Sequence, residues 1–484
     1  MSNGYGISNW EDAKTIYSEL HELTSKPIYC VTEDALKDVL DYFETKCAKS
    51  KAITTEAKQY IPGGVQHNLA FNYPFPICVT KAEGAFLYDL DGNKYYDFLQ
   101  AGGPTILGSN YAPVREKVIA LLNECGPVTG LFHEGELLLA KEINKHMPNV
   151  EMFRMLGSGT ESVMAAIRVA RCATKAKRII KVGGAYHGWS DQMVYGLKIP
   201  GSRFFLESHG IPHSCYGTTD EVRPNDLNML EKMLKLNKMR GGTAAVIVEP
   251  VGPESGTRPV DFNYNKEVRK LCDKYGCLFI FDEVVTGFRV GLGGAQGYFD
   301  VVPDLTIFGK IVAGGYPSAG GVGGKKEFVS GMAAGVGTMM KRAYVGGTLA
   351  ANPLCEVAGR AGDRLAAGLK DLINKYGLPY VVYNQGSIVH LECTGAMSYD
   401  FSSMNILKSA IPMLKTKPEM LRRKSAMEEM GAAYMANGIV TLAGSRLYTS
   451  MADTDEIIDG ALERFEDVFK NVKACPADRV FAKK

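Results

Sequence analysis

Lys310 and Asp282 are the residues of this chain whose types and spacing most invite chemistry. Lys310 follows the apolar run Leu305-Thr306-Ile307-Phe308 across Gly309, and Asp282, 28 residues earlier, ends the apolar run Leu278-Phe279-Ile280-Phe281. Two buried-looking strands thus end in opposite charges. Either charge alone in a core would be costly. Taken singly, Lys310 reads as a lysine snorkelling from a strand end and Asp282 as a helix cap. Taken together they fit a cofactor that needs both groups, pyridoxal phosphate, which takes a lysine as a Schiff base and a carboxylate on its ring nitrogen.

Three further segments could serve such a cofactor. Gly157-Ser158-Gly159-Thr160-Glu161 precedes a helical pattern. Glycines let backbone approach an anion, and a helix N-terminus offers free amides, so this is a reasonable phosphate site. Ser158 and Glu161 also have the spacing of a capping box, and the two readings are compatible. Tyr186-His187-Gly188-Trp189 follows a strand and two glycines. An aromatic there could stack on a flat ring or simply pack in the core. Glu249-Pro250 closes another strand, and its carboxylate could be structural or face the site.

These residues need a scaffold of strands and helices. Ile179–Val182, Ala244–Val248, Leu278–Phe281 and Leu305–Phe308 read as buried strands. Val114–Asn123, Leu137–His146 and Thr160–Cys172 read as helices between or before them. The alternation predicts an α/β fold, a large lobe with a mostly parallel sheet plus a smaller mixed lobe. Thr32 is a plausible N-cap for a helix whose Leu36, Val39, Leu40 and Phe43 share one face. Gly84–Phe98 reads as a hairpin turning at Asp91-Gly92. Glu356–Tyr376 reads as a helix. The predicted division is an N-terminal helical extension over 1–55, the first part of the small lobe over 56–100, a large cofactor-binding domain over 101–350 and a C-terminal small domain over 351–484.

A chain of 484 residues is too long for one core. A net charge of +2 and no basic run argue against a nucleic-acid surface. No apolar stretch approaches the ~20 residues of a membrane span, and the N-terminus does not read as a secretory signal. The 11 cysteines include no CxxC and read as free thiols of a reducing, cytoplasmic compartment. His209 and His213 have helical spacing, but Pro212 between them argues against a metal pair, and no metal is expected. Glycine pairs at Gly314-Gly315, Gly320-Gly321, Gly323-Gly324 and Gly346-Gly347 suggest backbone packed closely against a neighbour. No glycine cluster gives GxGxxG between a strand and a helix, which disfavours a dinucleotide enzyme.

In order, Pro62-Gly63-Gly64-Val65, Ser158-Gly159-Thr160-Glu161, Tyr186-His187-Gly188, Val248-Glu249-Pro250-Val251, Asp282-Glu283-Val284, Thr286-Gly287-Phe288-Arg289, Pro303-Asp304-Leu305-Thr306, Gly309-Lys310 and Gly347-Thr348 resemble the class III pyridoxal-phosphate aminotransferases. The likeness runs from about residue 55 to 460 and is nearest to glutamate-1-semialdehyde aminomutases and their transaminase relatives. It implies fold type I and a homodimer with shared active sites. By the resemblance, Lys310 is the Schiff-base lysine and Asp282 keeps the ring nitrogen protonated. Val284 packs on one ring face and Tyr186 on the other. Ser158, Gly159 and Thr160 cradle the phosphate, with His187 and Glu249 beside the cofactor. Thr348 reaches the phosphate held by the neighbouring subunit.

The resemblance breaks at Ala70. Aminomutases place there, five residues beyond the valine of Pro-Gly-Gly-Val, an arginine that binds the substrate carboxylate. Alanine cannot form that fork. The expected function is therefore transfer of an amino group to a keto acid such as 2-oxoglutarate. The donor would lack a free carboxylate at that point: a β-amino acyl thioester such as a coenzyme A ester, or a simple amine. Arg446, in Gly444-Ser445-Arg446-Leu447-Tyr448, would bind the keto-acid carboxylate or form a surface ion pair. An aminomutase or racemase is the alternative within the cofactor class. A non-catalytic binding protein on the same fold is the alternative outside it, and the intact Lys310 and Asp282 weigh against that.

Overall fold

A computed structural model of the chain describes residues 4–125, 132–197, 208–317, 319–333, 342–347, 361–395, 406–442, 444–476, 479 and 481, with backbone only for 406–417. The chain divides into two compact units. One comprises Met1–Ala13, Ala112–Ala358 and Asp400–Met404, and the other Lys14–Tyr111, Gly359–Tyr399 and Asn405–Lys484.

The first unit is built on a seven-stranded sheet. Its order is Met152–Leu156, Gly320–Gly324, Leu305–Gly309, Leu278–Asp282, Thr243–Val248, Arg178–Val182, Thr219–Val222. Gly320–Gly324 runs antiparallel to both its neighbours, and the other strands share one direction. Every residue of Thr243–Val248, Leu278–Asp282 and Leu305–Gly309 is buried. Strands of a parallel sheet covered on both faces read as near-continuous apolar runs, which is why these three stood out in the sequence. Helix Gly159–Thr174 lays Val163, Ala166, Ile167 and Ala170 on one face, in a core with Ile179, Ile247, Ile280 and Ile307.

The glycine-rich strand Gly320–Gly324 was not expected, because glycine has poor strand propensity. Its need is steric. A Cβ at Gly320 would strike the Ser158 backbone, and one at Gly321 would strike the ring of Phe153. The close packing expected of these glycines is therefore present.

The second unit holds two small sheets and a strand pair. Val79–Glu83, Phe86–Asp89, Lys94–Asp97 and Ile439–Val440 form one sheet, and Val381–Gln385, Ile388–Glu392 and Arg446–Tyr448 another. Tyr29–Val31 pairs with Val472–Ala474. Its core includes Phe43, Tyr95, Leu365, Leu369, Tyr434, Phe465 and Phe469. The hairpin predicted at Asp91-Gly92 is present, with Phe86 opposite Tyr96. Thr32 caps helix Glu33–Lys46 by accepting from Ala35 N–H. The predicted Glu356–Tyr376 helix is present as Gly362–Tyr376, and residues 356–360 lie outside the described residues. No helix among the described residues is long and apolar enough to cross a membrane.

Candidate active site

The parallel strands of the first unit deliver most of the expected residues to one edge. Asp282 ends its strand, Lys310 follows Leu305–Gly309, Glu249 follows Thr243–Val248, and Ser158 lies two residues past Met152–Leu156. Open parallel sheets bind ligands outside the carboxyl ends of their strands. Ile307 and Asp282 are direct partners across neighbouring strands, so Lys310 stands three residues beyond the level of Asp282.

Asp282 is buried and gripped from two sides. Its Oδ2 lies 2.7 Å from His187 Nδ1, and its Oδ1 accepts the Val284 N–H at 3.2 Å. His187 is fully buried. Burial lowers its pKa, outweighing the pull of Asp282, so the ring is neutral and Nδ1 carries the proton it donates. Its Nε2 is buried without a hydrogen-bond partner among the described residues.

Glu249 is a second buried carboxylate. Its Oε1 accepts the N–H groups of Tyr186 and Glu254, and its Oε2 that of Ser255, each at 2.8 Å. Glu254 and Ser255 both hold left-handed backbone, φ 54° and 57°. Successive amides in such a turn converge on one anion. Burial, with a further contribution from the nearby Asp282, still pushes the Glu249 carboxyl up to about 7.

The helix N-terminus completes the edge. Ser158 caps helix Gly159–Thr174, accepting the Glu161 N–H at 3.2 Å. The Glu161 carboxylate reaches to the Gly157 N–H at 2.7 Å, one residue beyond a standard capping box. The first-turn amides of Gly159 and Thr160 therefore have no helical acceptor. Val284 sits between two glycines: a Cβ on Gly159 would come within 3.1 Å of it, and one on Gly309 within 2.9 Å. Gly188 has φ 79°, and a Cβ there would strike Thr160. The Tyr186-His187-Gly188 turn thus abuts the helix start. Tyr186 itself is half exposed. Lys310 is half-buried and takes left-handed backbone at φ 48°, a conformation non-glycine residues hold at a cost and often at functional sites.

The fold thus brings together Ser158, Gly159, Thr160, Tyr186, His187, Glu249, Asp282, Val284 and Lys310. Ala70 and Arg446 belong to the second unit. Ala70 ends an exposed turn capped by the His67 side chain. Arg446 starts a strand opposite His390. Thr348 lies outside the described residues. One buried polar residue beside the edge went unrecognised in the sequence. Lys181, inside Arg178–Val182, donates to three main-chain carbonyls. A lysine in an apolar run gives no sign that its acceptors come from the loop that follows.

The description "Aminotransferase class-III" belongs to the family model that matches residues 69–468. A glutamate-1-semialdehyde 2,1-aminomutase of Acetivibrio thermocellus is 36% identical over 448 residues, covering 89% of this chain and 99% of the relative. Among solved structures, an omega-transaminase from Sphaerobacter thermophilus superposes with a TM-score of 0.76 at 26% identity, over 89% of this chain and 99% of that one. A transaminase with PLP bound matches with a TM-score of 0.75 at 23% identity, over 88% and 97% of the two chains.

Proposed function

This chain belongs to the class III aminotransferases, enzymes of pyridoxal phosphate, and on that premise we propose how its residues work and which amines it takes. The residues present fit the cofactor. Asp282 spends its two oxygens on one neutral ring N–H and one amide, leaving lone pairs for a pyridine N–H. Gly159 and Thr160, in the first turn of their helix, offer amides that need no helical acceptor to a phosphate.

The bound cofactor supplies an electron sink for the pair left when a substrate Cα–H bond breaks. Asp282 holds the proton on the ring nitrogen and so keeps that sink strong. His187, neutral and donating, orients Asp282 without cancelling its charge. Val284 and Tyr186 confine the ring from its two faces. Lys310 would hold the cofactor as its Schiff-base lysine and, with its amine free, would move the proton at the substrate Cα. The observation that carries this reading is that Asp282 and Lys310 both stand at the carboxyl ends of adjacent parallel strands.

The proposed acceptor is a keto acid such as 2-oxoglutarate, with Arg446 binding its carboxylate. The proposed donor lacks a free carboxylate where Ala70 stands, as in a β-amino acyl thioester or a simple amine. Homodimeric assembly with shared active sites is part of the proposal, resting on the family pattern at Gly347-Thr348. So is a cytoplasmic setting, resting on the free thiols among the described cysteines. The name carried by the Acetivibrio thermocellus relative favours a second reading, an aminomutase. One assay separates them. With 2-oxoglutarate as acceptor, wild type should use a β-amino acyl thioester with higher kcat/KM than the free β-amino acid. Ala70→Arg should narrow that gap by giving the acid a partner. Isomerisation of glutamate-1-semialdehyde without net transfer to an added keto acid would overturn the proposal in favour of the aminomutase.

A further inference from the structure

Lys181 is fully buried in the strand that leads into the Tyr186-His187 turn. Its Nζ donates to the carbonyls of Ala185 at 3.3 Å, Met193 at 3.2 Å and Tyr195 at 2.6 Å. The same ammonium lies 5.0 Å from the centre of the Tyr195 ring. Glu221 stands beside it in register on the neighbouring strand. A buried ammonium is tolerated only when its donors are satisfied, and these acceptors all come from one loop. That loop also carries Tyr186 and His187.

The other end of the loop's first peptide is held as well. The Ala185 carbonyl and the Tyr186 N–H belong to a single peptide group. Lys181 holds its oxygen, and Glu249 holds its N–H at 2.8 Å. The peptide is planar, so fixing both ends fixes its C=O to N–H axis, and the held chain before it limits rotation of the plane about that axis. The plane sets the direction in which Tyr186 and His187 leave it. His187 then meets Asp282 at 2.7 Å. Neighbouring main-chain bonds, Gly184 N–H to the Gly196 carbonyl at 2.8 Å and Ala185 N–H to the Val182 carbonyl at 3.1 Å, hold the chain just before this peptide.

We propose that Lys181 and Glu249 are positioning residues, a buried ammonium and a buried carboxylate that clamp the Ala185–Tyr186 peptide and thereby set the Tyr186 ring and the His187–Asp282 hydrogen bond against the cofactor. The inference rests on the cofactor reading above. Neither side chain touches substrate. Their effect passes through the loop, and a misplacement of about 1 Å at such a site can cost about a hundredfold in rate.

The test uses Lys181→Met, Glu249→Gln and Glu249→Ala in the full-length protein at pH 8, with the wild type loaded with pyridoxal phosphate as control. Three signals are followed in folded protein. In Lys181→Met, kcat should fall by about a hundredfold while KM changes far less. The pH at which the cofactor's visible absorption titrates should move, because Asp282 loses its fixed partner. In cofactor-free protein carrying Trp10→Phe, the anisotropy of Trp189 should drop, since that residue lies two positions past His187. Glu249→Gln, which keeps one oxygen acceptor, should be less impaired than Glu249→Ala. If Lys181→Met lowers only the Tm and leaves kcat, the absorption titration and the anisotropy unchanged, the clamp is disproved. If Lys181→Met does not fold, Glu249→Gln and Glu249→Ala decide by the same signals. A wild type that binds no pyridoxal phosphate would instead overturn the functional reading and leave the anisotropy comparison standing.

Discussion

The two ends of the large sheet bury similar aspartates and treat them differently. Asp304 sits just before strand Leu305–Gly309, at the amino end, and Asp282 closes the adjacent strand at the carboxyl end. They are exposed by 4% and 5%, so burial alone does not tell them apart. Their partners do. Asp304 accepts the Phe279 N–H at 2.7 Å and meets Arg269 at 2.6 Å and Lys325 at 2.8 Å. Two cations and an amide neutralise it and tie the strand start down. Asp282 has one neutral imidazole N–H and one amide, with the Glu249 carboxyl close enough to feel its charge. A carboxylate left short of positive charge is suited to a cationic ligand, and one already compensated is suited to stability.

Exchanging each aspartate for asparagine should break this contrast in opposite directions. Asp282→Asn should retain pyridoxal phosphate and lose activity by about a thousandfold, or ~4 kcal/mol of barrier, since an amide cannot hold the ring-nitrogen proton electrostatically. Its Tm should change little by comparison. Steady-state kinetics with a spectrum of the bound cofactor will decide, and near-normal turnover would mean that the nitrogen has another partner. Asp304→Asn should instead cost ~1–2 kcal/mol of stability, by weakening charge-assisted bonds from the part-exposed Arg269 and Lys325 to a buried acceptor, with kcat within about twofold. Denaturant titration measures this.

The pH dependence of stability sharpens the comparison. Burial works against the Asp304 carboxylate, but Lys325, Arg269 and the Phe279 N–H together hold its pKa below the usual value. Its contribution is therefore present above the unfolded pKa and lost as pH falls through the folded one. Glu249 behaves oppositely, because burial pushes its carboxyl up from 4.5 to about 7. Its contribution is full below 4.5 and lost as pH rises through about 7. The stability of Glu249→Gln relative to wild type should consequently improve by ~2 kcal/mol between pH ~5 and ~8. Unfolding curves at several pH values would show a flat difference if Glu249 were not held in this way.

How far this was legible in the sequence follows from where each signal lies. Asp282 and Lys310 could be read because strands buried on both faces are apolar runs, and a charge ending such a run stands out. Ser158-Gly159-Thr160 could be read because helix starts have local chemistry. The strand Gly320–Gly324 could not, since its glycines answer to Phe153 and Ser158, which are distant in sequence. Lys181 could not, because its carbonyl acceptors lie 4 to 14 residues ahead in a loop of no fixed pattern. Nor does the sequence show that Glu249 turns its oxygens to three backbone amides, two of them in left-handed conformation. Long-range contacts and loop geometry carry no periodic trace.

The most direct test concerns Lys310. The enzyme, loaded with pyridoxal phosphate, would be reduced with borohydride, digested, and its modified peptide identified by mass spectrometry. The expected result is cofactor fixed to Lys310, with Lys310→Ala taking no label and showing no transamination. Label on another lysine, or an active Lys310→Ala enzyme, would contradict the assignment of this edge of the sheet as the active site.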